Sequence, residues 1–143
     1  MRSNSRLLAR IVSLLIVLLV IGLQVWHKSP SPTTTNAALR AAAQAHASQV
    51  EVEARGRVTR LLPDDAQGAR HQRFLVRIAD GLTILVAHNR DLAPRVPLHP
   101  GDSVALRGEY VWNERGGMIH WTHHDPARRH EPGWIEYQGR RYD

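Results

Sequence analysis

Val50-Glu51-Val52-Glu53-Ala54-Arg55-Gly56-Arg57-Val58 decides the fold class. Apolar and charged residues alternate with a period of two, the pattern of a strand with one face buried and one in water. Upstream of Val50 no such alternation exists. Downstream it returns repeatedly, with turn residues between the runs. The chain from residue 50 onward is therefore expected to be mainly β.

Beyond this first strand, which runs to Leu62, Pro63-Asp64-Asp65-Ala66-Gln67-Gly68 has the composition of a loop. Arg73 to Ile78 and Leu82 to Ala87 form a hairpin across Ala79-Asp80-Gly81. A three-residue connection with Gly81 left-handed pairs Phe74 with Val86, Val76 with Ile84 and Ile78 with Leu82, gathering apolar residues on one face. A two-residue turn does not, so the first register is preferred. Asn89 to Pro100 carries three prolines and reads as a long connection. Strands from Val104 to Trp112 and from Met118 to His124 follow, joined by Glu114-Arg115-Gly116-Gly117. A short hairpin from Trp134 to Tyr142 turns at Gln138-Gly139.

Five strands with the longest link between the third and fourth suggest a small Greek-key barrel of the OB type, with a C-terminal hairpin added. Gly56-Arg57-Val58 and Gly101-Asp102-Ser103-Val104 leading to Leu106-Arg107-Gly108 resemble that superfold, glycines 56 and 108 suiting tight coiling. A five-stranded sandwich and an SH3-like barrel fit the same pattern. Trp112, Trp121 and Trp134 are expected to fill the barrel and seat the tail.

The first quarter differs in kind. Arg2, Arg6 and Arg10 (in residues 1–10) precede an apolar run over 11–26, long enough with its flanks to cross a bilayer as a helix of ~20 residues. Basic residues before the run place the N-terminus in the cytoplasm and the rest outside, in the periplasm of a bacterial inner-membrane protein. A cleaved signal peptide is the competing reading, but Trp26, His27 and Lys28 replace the small residues cleavage requires. Residues 27–49 then hold a Ser/Thr/Pro linker and a short Ala-rich helix from Ala37 to His46, N-capped by Asn36.

Charge supports this division. The chain carries 19 Lys and Arg against 13 Asp and Glu, a net charge of +6. Four of the basic residues (Arg2, Arg6, Arg10, Lys28) precede residue 37, where no acidic residue stands, so the remainder is only +2. That weakens the argument for nucleic acid, which wants a basic groove with exposed aromatics. An envelope protein or a small molecule is the expected partner, beside the membrane itself.

Chemistry concentrates in His120-Trp121-Thr122-His123-His124-Asp125-Pro126, with His130 beyond. Imidazoles suit zinc, copper or nickel when three or four converge. On a continuous strand His120 and His124 share a face but stand ~13 Å apart, while His123 faces the other way. The candidate metal ligands are His120, His123, His124, Asp125 and His130, with convergence expected toward His123–His130, where the strand ends. His71 and His88 fall on opposite faces of the hairpin in the preferred register. With Arg73, Asp64, Asp65 and Trp121 they form a polar rim, the candidate ligand-binding set. A binding or assembly module is the first reading, and a metal-dependent hydrolase the alternative. No Cys nucleophile, no Gly-x-Ser-x-Gly elbow and no phosphate-binding Gly-rich loop is present.

Leu61-Leu62-Pro63-Asp64-Asp65, His71-Gln72-Arg73-Phe74, Ala87-His88-Asn89, Gly108-Glu109-Tyr110, the His120–Pro126 run and Gly133-Trp134-Ile135 together resemble the bacterial domain of unknown function 3465 family. The resemblance spans most of residues 56–142. It implies kinship and no activity.

Overall fold

The computed structural model describes residues 35–65, 67–78 and 81–143. The expected membrane segment over 11–26 lies outside them. Among the described residues no helix is long and apolar enough to cross a membrane.

Among the described residues one short helix, α1 (Ala37–Gln44), is followed by seven strands: β1 (Val50–Asp65), β2 (His71–Ile78), β3 (Thr83–Asn89), β4 (Ser103–Val111), β5 (Met118–His120), β6 (Trp134–Tyr137) and β7 (Arg140–Tyr142). They form one sheet in the order β1-β2-β3-β5-β4-β6-β7, and a further β1–β4 pairing closes the first five into a ring. The β3–β5 contact is parallel and the other pairings antiparallel. This mainly β, ring-closing sheet is consistent with an OB-like fold.

β1 closes the ring because it is long enough to serve two partners. Its first half pairs with β4 (Val50↔Tyr110 through Arg57↔Ser103) and its second with β2 (Gly56↔Ile78 through Asp65↔His71). Gly56 belongs to both ladders. A side chain there would meet the Arg77 carbonyl oxygen at 2.6 Å, and one at Gly108 would meet the His120 carbonyl oxygen at 2.2 Å. Glycine is therefore required where the strands coil most tightly. β1 also continues to Asp65 through Pro63, where a loop was expected. Register shifts after Val58 and Leu62 absorb the irregularity, and a bulge tolerates proline's missing N–H.

Inward positions follow the alternation. Phe74, Val76, Ile84, Val86, Leu106 and Tyr110 are fully buried. The hairpin takes the apolar register, with Phe74 opposite Val86 and Val76 opposite Ile84. Tyr110, not tryptophan, is the largest side chain buried completely, and its hydroxyl donates to the Gly116 carbonyl at 3.0 Å. The tryptophans do not fill the interior. Trp112 packs half-buried at its margin, and Trp134 lies under the Arg141 guanidinium at 4.2 Å.

Asn36 also departs from expectation. It makes no side-chain cap. Its amide instead donates to the Arg55 carbonyl at 3.0 Å and accepts from the Arg55 N–H at 2.8 Å. Arg55 lies one residue beyond the end of the β2 ladder, so the amide satisfies backbone groups that β2 no longer reaches. This docks α1, whose Leu39 and Ala42 are buried.

Candidate functional site: a histidine-lined recess

The β3–β4 connection closes one end of the ring and is held by two buried polar side chains. Gln72 donates to the Val96 carbonyl at 2.8 Å and accepts from the Val96 N–H at 2.9 Å. His88, opposite Gln72 in the hairpin, is fully buried. Its Nε2 lies 3.1 Å from the Pro94 carbonyl oxygen, which can only accept, so Nε2 carries the proton. Nδ1 then accepts from the Thr122 hydroxyl at 2.8 Å. Burial pushes the His88 pKa down to about 4, and the imidazole is neutral at physiological pH. His88 is a structural bolt.

β5 ends early, and this builds the site. A strand to His124 was expected, but Trp121 has φ 53°, a left-handed conformation that breaks the two-residue alternation. Thr122 turns inward to His88, while His120 and His123 both reach one recess on the outer side. The parity argument that separated His120 from His123 fails for this reason. The recess, about 240 Å³, is lined by His71, Ala87, Asn89, His120, Trp121 and His123. His71 and Asn89 sit opposite one another at the ends of β2 and β3.

Hydrogen bonds fix what each ring offers. His120 Nε2 lies 3.0 Å from Glu109 Oε1, its cross-strand partner on β4. A carboxylate accepts, so Nε2–H donates and Nδ1 is left over. His123 Nδ1 donates to the His124 carbonyl at 2.7 Å, leaving Nε2. Burial holds the His123 pKa below the usual imidazole value, so that nitrogen is a lone-pair acceptor. Asn89 accepts the Asp91 N–H at 2.8 Å through Oδ1, which leaves its NH₂ as donor. Among the described residues, none that lines the recess carries a hydroxyl or a thiol.

The remaining sequence candidates have other roles. Asp125 accepts from the N–H groups of Ala127, Arg129 and His130 at 2.9, 2.6 and 3.1 Å. The Arg129 and Ala127 bonds hold its carboxyl below the usual range. That loop stacks His130 on Trp121 with centroids 3.9 Å apart, and Gly133 returns the chain by donating to the His123 carbonyl at 3.0 Å. His124 is exposed. Asp64 pairs with Arg95 and stands 3.8 Å from Arg90. Asp65 caps Gln67, and Arg73 donates to the Pro63 carbonyl at 3.0 Å.

The six histidines at 71, 88, 120, 123, 124 and 130 therefore do not form one site. Three share the recess, one is interior, one is exposed, and one backs Trp121. Among the described residues no three His, Asp or Glu side chains are gathered as a metal ion requires.

Residues 19–143 match the family described as "Protein of unknown function (DUF3465)". The chain belongs to this family. No curated protein matches it. In this DUF3465 chain, Gln72, Asn89, Glu109 and Thr122 help build the site; they stand in the stretches that resemble the family, but the sequence reading gave them no role. Asn89 was readable from the preferred register, which puts it opposite His71. Glu109 was readable by counting back across the Gly116-Gly117 turn from His120. Gln72 had only polarity at an inward position, and strand parity put Thr122 on the face of His120, away from the interior.

Proposed function

We propose that this DUF3465 protein is a membrane-anchored, extracytoplasmic binding module whose OB-like barrel holds a small polar ligand in the His71–His120–His123 recess. One observation carries the reading: imidazoles from β2, β5 and the turn after β5 converge, with Asn89 and Trp121, on a single cavity. The strand order β1-β2-β3-β5-β4, returning to β1, supports the OB-like barrel. Three arginines before the apolar run, against one lysine just after it, support the anchor and its orientation.

The cavity, at about 240 Å³, is below the ~300–1,000 Å³ typical of drug-sized ligands. It offers His123 Nε2 as an acceptor and the Asn89 amide as a donor, beside the His71 ring and His120 Nδ1. A compact, hydroxyl-rich molecule matches that set. Trp121 gives no stacking platform, since His130 covers it at 3.9 Å and His123 sits at 5.3 Å. The hydrolase alternative has less support, because Asp125 and His130 are committed elsewhere and His124 is exposed outside the recess.

A thermal-shift screen of small polyols, sugars and divalent metals tests this. A ligand at 100 times its Kd stabilises by about 2.7 kcal/mol, or roughly 10 °C in Tm for a domain of this size. His120→Ala should abolish that shift. A hit that stabilises the His120→Ala and His71→Ala variants as well as the parent would sink the reading. An alkaline-phosphatase fusion at residue 36 should be active, and an inactive, stable fusion would refute the extracytoplasmic placement.

A further inference from the structure

The net charge of +2 over residues 37–143 conceals a strong separation of sign. Along the outer side of β1, Glu51 and Glu53 lie opposite Glu109 and Arg107 of β4, whereas Arg57 and Arg60 lie opposite Arg77 and Leu75 of β2. Arg73 is the next outward residue of β2, and Leu75, Leu85 and Met118 run side by side across β2, β3 and β5 between the arginines. Among the described residues, Arg57, Arg60, Arg73 and Arg77 form no ion pair. Arg57 and Arg77 are directly opposed like charges, an arrangement that costs stability unless something anionic covers it. Arg57 and Arg73 are each tied to one backbone carbonyl, of Gly101 and Pro63, and among the described residues the guanidinium groups of Arg60 and Arg77 have no hydrogen-bond partner.

We propose that this outer face of β1, β2 and β3 docks on an anionic phospholipid surface. The inference rests on the anchored reading above. Arginines around a half-buried aliphatic stripe match a headgroup layer, where guanidinium groups meet phosphates and the apolar side chains enter its shallow interior. Nucleic acid fits less well. No Phe, Tyr or Trp occupies an outward position on β2 or β3, and Trp121 is already stacked on His130 at 3.9 Å, so this face gives bases no aromatic row to stack on.

The chain contains no cysteine, so Thr83→Cys places a single environment-sensitive fluorophore on this face and Glu53→Cys one on the acidic side. The full chain is reconstituted in phosphatidylcholine vesicles with and without phosphatidylglycerol. The label at 83 should move to an apolar environment only with phosphatidylglycerol, and added salt should reverse it. The label at 53 should not respond. Replacing Arg60, Arg73 and Arg77 by Gln should lower the docked-to-undocked ratio about a hundred-fold, at about five-fold per arginine. Identical signals in the two lipids, or a triple variant that docks like its parent, would overturn the proposal. So would a label at 83 that answers polyphosphate or a single-stranded oligonucleotide but not phosphatidylglycerol. Alkaline carbonate separates the two claims. A chain it strips from the vesicles refutes the anchor, and docking is then read from flotation with phosphatidylglycerol but not phosphatidylcholine vesicles.

Discussion

Substituting His88 by Gln should remove most of the domain's acid sensitivity between about pH 6.5 and pH 4. His88 is fully buried, and burial lowers its pKa from 6.5 to about 4. In that window the unfolded chain binds a proton at this site and the folded chain does not. Stability is therefore greatest above pH 6.5, falls with pH through the window, and loses nothing further from this group below about 4. At 1.36 kcal/mol per unit, the span corresponds to about 3 kcal/mol. His123, also depressed by burial, adds to the same slope in parent and variant alike. Urea denaturation across this range would show the parent losing about 3 kcal/mol more than His88→Gln. The variant itself should be about 1–3 kcal/mol weaker at neutral pH, because the Thr122 and Pro94 partners are met less well. Parallel stability curves for the two proteins would refute the placement of a neutral, buried His88.

Two further substitutions probe how the site is assembled. Asn36→Ala removes both bonds to the Arg55 backbone and should cost about 2 kcal/mol in urea denaturation, with α1 released first in hydrogen exchange; unchanged protection of α1 would contradict it. Gly133→Ala would place a methyl 1.8 Å from the Trp121 carbonyl oxygen and 2.7 Å from that of Arg107, so the backbone at Gly133 must move away from Trp121. The fold should survive, weakened by about 1–3 kcal/mol, while the ring-current shift of His130 over Trp121 disappears from the NMR spectrum.

The ring of strands was legible where alternation was strong. The apolar register of the β2–β3 hairpin followed from Phe74, Val76, Ile84 and Val86, and the tight points of the sheet from Gly56 and Gly108. The site was legible in composition but not in geometry. A single left-handed residue, Trp121, redirects His123, and propensity gives no warning of it because tryptophan rarely takes that conformation. The division of the histidines depended on long-range partners. His88 is buried because Thr122 and Pro94 satisfy it, and His120 is oriented by Glu109 across the sheet. Asn36 illustrates the same limit: its position before a helix suggested a cap, while the nearest unsatisfied backbone belonged to β1.

The central claim is that His71, His120 and His123 act on one ligand. Ring-nitrogen NMR of the nine histidines tests it most directly. The free protein should show His88 and His120 protonated at Nε2 and His123 at Nδ1. Titration with the strongest thermal-shift hit should move the His71, His120 and His123 rings together, leaving His46, His99 and His124 in place. Movement of His124 with His130, or of His71 without His120 and His123, would contradict the single recess.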